Sequence, residues 1–335
     1  MRVLHLPVGR QMIEMCAALR DIGIDATACH FRDRNQNYDL CLHLEKHSGR
    51  ERKKLREKFL KEACEKYDVF HFHFGQTFYK DRSDLEYLKK RGKKLVVQHR
   101  GSDVRMLSIA KAEGSAGVRV KGGRRREERE IVKKLKELSQ YIDHAIVADH
   151  ELLSYIEGRY KHIHLLRQFI TLDKFPFSPP SANNRKPLII HAPTNDYLKG
   201  TEYVIQGIER LRRKGLDFDF KIITNVSHKE AIKEYQKADI IVDQLLQGSF
   251  GVVSLEGMAL GKPVICYVRD SMIKRYPPGL AIVNANKDTF YDVLKKLVKK
   301  PELRREIGIS GREYIEKYYD SRQLVLELES IYKSL

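Results

Sequence analysis

The chain has no tryptophan, and only five cysteines among its 335 residues. Cys16, Cys29, Cys41, Cys64 and Cys266 show no paired spacing, which argues against a disulfide framework. Three of them fall in apolar strand or helix patterns and read as buried, reduced thiols, so a cytoplasmic location is expected. No run approaches the ~20 apolar residues that span a bilayer. The opening MRVLHLPVGRQ carries one arginine, then a short apolar run that reaches a glycine; it fits a first β-strand better than a signal peptide. No G-x-G-x-x-G follows that strand, which argues against a nicotinamide-dinucleotide enzyme. A Walker lysine motif is also missing, which argues against a P-loop kinase. The G-x-S-x-G nucleophile elbow is absent. Nucleic-acid motifs with interleaved aromatics are absent too, so nucleic acid is not an expected partner.

Negative charge is scarce relative to positive. There are 45 Asp+Glu against 63 Lys+Arg, a net charge of +18. The excess is uneven: residues 1–170 hold 36 basic and 24 acidic side chains. Such a balance favours an anionic partner, either a lipid surface or a polymer acceptor. Part of it is ordinary solvated helix face. In ERKKLREKFLKEACEK the apolar Leu55, Phe59, Leu60 and Ala63 share one side and the charges cover the other. The stretch Gly114–Glu130 is glycine-rich, then strongly basic at Lys121–Arg126, and reads as a mobile loop suited to an anionic surface.

The length suggests two domains, and 42% hydrophobic residues can fill sizeable cores. Strand and helix patterns alternate through the first half. Strands are expected at Arg2–Pro7, Ile24–Cys29, Asp68–Phe74, Lys94–His99 and His144–Val147. Helices are expected at Gln11–Ile22, Glu51–Lys66, Ser83–Arg91 and Glu127–Gln140. Such alternation implies a parallel, doubly wound sheet. Phe175–Lys186 (FPFSPPSANNRK) is rich in Pro, Ser and Asn and reads as a linker. The alternation then restarts, with strands at Pro187–Ala192 and Phe218–Thr224 and helices at Thr201–Lys214 and Lys229–Lys237. Helices at Asp288–Lys300, Pro301–Tyr318 and Arg322–Leu335 close the chain.

The stretch ADIIVDQLLQGSFGVVSLEGMALGKPVICYV, residues 238–268, reads as strand, glycine turn, helix, glycine stop and strand. A helix that starts after a glycine turn offers free N–H groups and a positive dipole end, which suits a phosphate. Glu256 lies early in that helix, where a carboxylate meets a hydroxyl-rich ligand. A phosphate beside a polyol describes a nucleotide sugar.

The pattern F-G-x-x-x-x-E-x-M-A-x-G-x-P-V in that stretch resembles the donor site of retaining nucleotide-sugar glycosyltransferases of the GT-B fold, the family 4-like group. Phe250, Gly251, Glu256, Met258, Ala259, Gly261, Pro263 and Val264 match. Gly248 stands where the family has a first Glu, and Gly257 where it has Ala. In HAPTNDYLKGTEYV, Lys199 and Gly200 match the family's diphosphate-binding element, but its Arg falls on Thr194. HRGSDVR resembles a further element of the same enzymes.

The resemblance implies an α/β chain of GT-B architecture, with two Rossmann-like domains facing a central cleft. The first domain would span residues 1–174 and take the acceptor. The second would span 187–318 and bind the donor, and 319–335 would form a helix able to cross back. The implied activity is hexosyl transfer from a nucleotide sugar to a cell-envelope or polysaccharide-type acceptor, with retention of anomeric configuration. No cofactor and no metal are implied; the His71–His73 pair has no matching carboxylate or cysteine nearby. His99 would face the transferred sugar and Asp103 would orient the loop or the acceptor. Lys199 and Gly200 would meet the diphosphate and Glu256 the ribose. Ser249, Phe250 and Gly251 would supply the turn, with Gly9 and Asp243 as further donor contacts. Such an enzyme would be cytoplasmic, peripheral to the inner face of the membrane. Two other readings stand beside it: a nucleotide-sugar epimerase of the same fold, and a non-catalytic polyanion- or surface-binding member.

Overall fold

The structure is a computed structural model that describes residues 1–33, 37–113 and 128–335. The basic loop Lys121–Arg126 therefore lies outside the described residues. The chain divides into two compact units. The first holds Met1–Met106, Arg126–Phe169 and Ser321–Leu335; the second holds Leu107–Arg125 and Ile170–Asp320.

The first unit is built on a parallel sheet of β1 (Arg2–Leu6), β2 (Asp25–His30), β3 (Leu40–Cys41), β4 (Val69–His73), β5 (Lys94–Gln98), β6 (His144–Val147) and β7 (His162–Leu165). Its spatial order is β3-β2-β1-β4-β5-β6-β7. The central strands are buried on both faces, which is why they read as near-continuous apolar runs. The second unit carries β8 (Leu188–His191), β9 (Asp219–Ile222), β10 (Ile240–Val242), β11 (Val264–Cys266) and β12 (Ile282–Asn284), in the order β12-β11-β10-β8-β9. All the pairings in both sheets are parallel. The doubly wound α/β class expected from the alternation is what the chain adopts.

On β4 the side chains of FHFHF alternate between the two faces of the sheet. Phe70 and Phe72 pack around Phe78, while His71 and His73 stack on the other face at 4.3 Å between ring centres. That second face receives the helix Ser321–Ser334 through Tyr332. Arg100 donates to Nδ1 of His73 at 3.5 Å, and an arginine can only donate. His73 Nε2 therefore carries the proton and donates to His5 Nδ1 at 3.1 Å. His5 Nε2 then donates to the Tyr332 hydroxyl at 2.9 Å, which donates to His71 Nδ1 at 2.7 Å. Burial keeps the imidazoles neutral and pushes His5 down to about 3. One direction of donation thus fixes three tautomers and docks the helix. Leu324, Val325, Leu328 and Ile331 of that helix join Met12, Met15 and Leu19 in the core beneath.

Phe175–Lys186 is no free linker: it lies along the second unit. Ser178 N–H donates to Leu260 at 2.9 Å and Arg312 donates to the Phe175 carbonyl at 2.8 Å. Asn184 donates to Asp239 at 2.9 Å. Gly261, at φ +78°, is covered by the Phe177 ring, 2.6 Å from where a Cβ would stand. The polar composition seen in sequence serves these backbone bonds. Four cysteines are buried and none is disulfide-bonded. No helix among the described residues is long and apolar enough to cross a membrane.

The loop after β4 is closed by Asp84, from the helix Ser83–Lys89. Its carboxylate accepts from Thr77 Oγ1 at 3.0 Å, Phe78 N at 2.9 Å and Tyr79 N at 3.3 Å. Burial outweighs these bonds and pushes its pKa up to about 6. The folded state then holds a proton that the unfolded chain, near 4, has released. This group's contribution to stability is therefore full below pH ~4 and falls as pH rises to ~6, by at most about 3 kcal/mol. Asp84→Asn should remove that fall. The check is the difference between the urea-unfolding free energies of wild type and variant, followed from pH 4 to pH 7.

Candidate functional site

Ligands of open parallel sheets sit at the carboxyl ends of the strands, where the winding reverses direction. In the second unit that point lies between β8 and β10. The groups that follow these two strands are the expected ones. After β8, Asn195 caps the short helix Asp196–Lys199 by accepting from Leu198 N at 3.0 Å. Lys199 thus ends a short helix, one residue before the cap of the next. Gly200, at φ +69°, is the joint between this turn and the helix Thr201–Arg213. A Cβ there would stand 3.3 Å from both Leu245 and Leu246, so the joint stays a glycine.

After β10 comes Asp243, which is 1% exposed. It forms an ion pair with Lys199, accepts from Ser254 Oγ at 2.6 Å and is approached by Gly251 N at 3.4 Å. Burial would raise its pKa, but Lys199 and these bonds outweigh burial and hold it below the usual carboxylate range. The carboxylate is ionised, and it fixes both the lysine and the start of the helix Val252–Ala259. His191, at the end of β8, bonds the Val242 carbonyl through Nδ1 and Thr201 Oγ1 through Nε2, both at 2.9 Å. Gln244 shapes the next turn: it donates to the carbonyls of Ser249 at 2.7 Å and Tyr267 at 2.8 Å. Phe250 turns its ring inward, 4.4 Å from Tyr276, and belongs to the core. Glu256 is 3% exposed and meets His228 Nε2 at 2.7 Å.

Three participants were not singled out from sequence: Ser254, His228 and Arg269. Ser254 sits one turn before Met258 in an apolar helix, and His228 opens a helix behind Ser227; neither carries a local signal. Arg269 explains the departure at Gly248. Its N–H donates to the Gly248 carbonyl at 3.0 Å, and its guanidinium holds Glu113 at 2.6 and 3.0 Å. Its aliphatic stem occupies the space a side chain at 248 would need, 2.5 Å from the position of a Cβ.

In the first unit the winding reverses between β1 and β4. Gly9, at φ +123°, lies beyond β1 with the Phe74 ring 3.2 Å from where a Cβ would be. His99 is fully buried. Its Nδ1 meets Asp103 at 2.7 Å and its Nε2 meets the Tyr160 hydroxyl at 2.9 Å. Contact between His99 and a sugar would require one of those bonds to open. Asp103 also accepts from the Arg100 and Gly101 amides, and together with His99 and Lys134 these hold it well below the usual carboxylate range in spite of its burial. Its carboxylate ties the loop after β5 to His99. The imidazoles of His5, His71 and His73 each bring a nitrogen within 4.8 Å of the others, the one such grouping among the described residues. The helix-docking relay already uses five of their six nitrogens.

Two parallel doubly wound sheets are the GT-B architecture. Over nearly its whole length the chain superposes on sucrose-phosphate synthase from Thermosynechococcus elongatus, with a TM-score of 0.67, 16% identity, and 99% and 98% of the two chains covered. It superposes equally on Anabaena HepE, solved in complex with UDP, with a TM-score of 0.67, 12% identity and 100% of both chains covered. Residues 209–314 match the family described as glycosyl transferases group 1. A stretch of 115 residues is 30% identical to a trehalose synthase of Pyrococcus horikoshii, covering 32% of this chain and 27% of that protein. The chain spans less than half the length of the curated relatives it matches.

Restoring the family's glutamate should harm the site. In Gly248→Glu the new side chain needs a left-handed backbone and the space of the Arg269 stem. Overpacking of this kind costs about 1–3 kcal/mol. Urea unfolding should show that loss, and it should disappear in Gly248→Glu combined with Arg269→Ala except for the backbone part.

Proposed function

We propose that the chain transfers a hexose from a nucleotide sugar to a cell-envelope or polysaccharide-type acceptor, with retention of anomeric configuration. The observation that carries this reading is the Lys199–Asp243–Ser254 constellation at the reversal point of the second sheet. It aligns a half-buried cation with the start of a helix. A diphosphate there would accept from Lys199 and from the first N–H groups of Val252–Ala259. Asp243 is a positioning residue, since it acts on the ligand through the lysine and the helix. Glu256, early in the same helix, would accept from the ribose hydroxyls, with His228 steadying its carboxylate.

In the reaction the bond between the sugar's anomeric carbon and the diphosphate oxygen breaks. The acceptor hydroxyl forms the new bond, and its proton leaves with the diphosphate. Negative charge grows on that leaving group. Lys199 and the helix dipole stabilise it more in the transition state than in the donor, which is how a fixed electrostatic site accelerates a reaction. No metal is needed in this scheme. The group 1 domain at 209–314 supports the reading, as does UDP in the HepE structure of the same fold. The basic balance of residues 1–170 supports an anionic acceptor or a membrane surface bearing it.

Lys199→Ala should weaken nucleoside-diphosphate binding by about 1.5–3 kcal/mol, the range for a charged hydrogen bond. Calorimetry with UDP, ADP and GDP measures it; unchanged affinity at low salt removes Lys199 from the site. Glu256→Gln should lower nucleoside-diphosphate affinity and leave that for inorganic diphosphate unchanged. The stereochemical part is read from the anomeric proton of the product by NMR over a panel of nucleotide sugars. An inverted product refutes retention, and a protein that binds no nucleotide but still binds acidic polymer is the non-catalytic member.

A further inference from the structure

The first unit holds a second site with a chemistry of its own. An open cavity of about 470 Å³ lies at the reversal point of its sheet, walled by the segments that follow β1, β2 and β4. Arg32, Arg56 and Lys80 line it, and none of the three forms an ion pair among the described residues. The one carboxylate in its wall is Asp103, already engaged by His99 at 2.7 Å and by the Arg100 and Gly101 amides at 2.9 and 3.1 Å.

Three buried donors at this cavity have no hydrogen-bond partner: Nε of Arg56, Nε of Arg82 and the hydroxyl of Tyr79. Burial and the neighbouring Arg32 both work against the charge on Arg56. Leaving such donors unmet is costly, and like charges gathered on one wall repel; an anion with several acceptor oxygens removes both penalties. Burial pushes the Tyr79 hydroxyl up to about 12, so it remains a donor at neutral pH. The cavity also has an apolar flank. The Phe31 ring lies 5.7 Å from the Arg56 guanidinium carbon, which suits the face of a sugar ring. The volume lies in the range of small-ligand sites. Three unpaired cations fit a doubly charged phosphate monoester better than a single carboxylate, and arginine forks match phosphate oxygens two at a time.

We propose that this cavity binds the phosphate of a phosphate-bearing sugar acceptor, through Arg32, Arg56 and Lys80. This deepens the transferase reading and rests on it for the word acceptor; the anion site itself rests on the cavity alone.

The test is calorimetric titration of the full chain with glucose 6-phosphate, mannose 6-phosphate and glucose 1-phosphate. It is run with saturating UDP, so that the donor side is occupied. Glucose and inorganic phosphate serve as controls. At least one ester should bind, more tightly than inorganic phosphate, with no measurable glucose binding. Arg56→Gln should weaken that ester about tenfold or more, and the exposed Lys80→Gln about fivefold. UDP affinity should stay within twofold in both variants, which also reports that they are folded. Three results each overturn the proposal: none of the esters binds, inorganic phosphate binds as tightly as the best ester, or both variants bind the ester normally. Ester binding that is lost in the variants of a protein that binds no nucleoside diphosphate keeps the anion site and refutes the donor reading instead.

Discussion

An ionised carboxylate without water must be answered by other groups, and in the second unit everything near the reversal point answers Asp243. The strand before it is apolar and buried, so the residue leaves the sheet with no solvent to turn to. Lys199 supplies the countercharge, Ser254 a hydroxyl and Gly251 an amide. Those three come from the short helix after β8, from the first turn of a longer helix and from its cap. Fixing one charge therefore fixes three pieces of chain. Removing a single partner of such a buried pair leaves an uncompensated charge, a penalty of several kcal/mol. This is why the glycine-rich turn holds one geometry.

What sequence revealed was the part written in local periodicity. Apolar runs of three to six residues followed by 3.6-residue repeats gave nearly every central strand and long helix within one or two residues. Leu40–Cys41 and His162–Leu165 carry no such run: they are edge strands, with one side to solvent. The short helices Asp196–Lys199 and Asp270–Ile273 are held by caps and long-range bonds that leave no periodic trace. The positions of Lys199, Glu256 and Asp243 were legible through a motif. Their partnerships were not, since 44 residues separate Lys199 from Asp243 and 28 separate His228 from Glu256. The glycine at 248 shows the same division. Its φ of +81° is a turn property that sequence suggests, but the arginine stem that forbids a side chain comes from 21 residues further along.

Both sheets place their chemistry by one topological rule, with opposite electrostatic solutions. In the second unit the cation at the reversal point is neutralised internally by Asp243. In the first, Asp103 is spent on His99 and two amides, and Arg32, Arg56 and Lys80 of the same cavity form no ion pair among the described residues. One site is balanced before any ligand arrives, the other is not.

The docking of Ser321–Ser334 has a consequence for how the chain is made. The core of the first unit includes Leu324, Val325, Leu328 and Tyr332, so its strands are completed by a helix synthesised after the whole second unit. Until that helix emerges from the ribosome, His5 and His71 lack the hydroxyl they share and an apolar groove beside Met12 and Leu19 stands uncovered. The second unit, whose strands are contiguous in the chain from β8 to β12, can close its sheet first. All of the second unit is thus synthesised before the first unit has its last helix, where the usual course is for the N-terminal domain to be complete first.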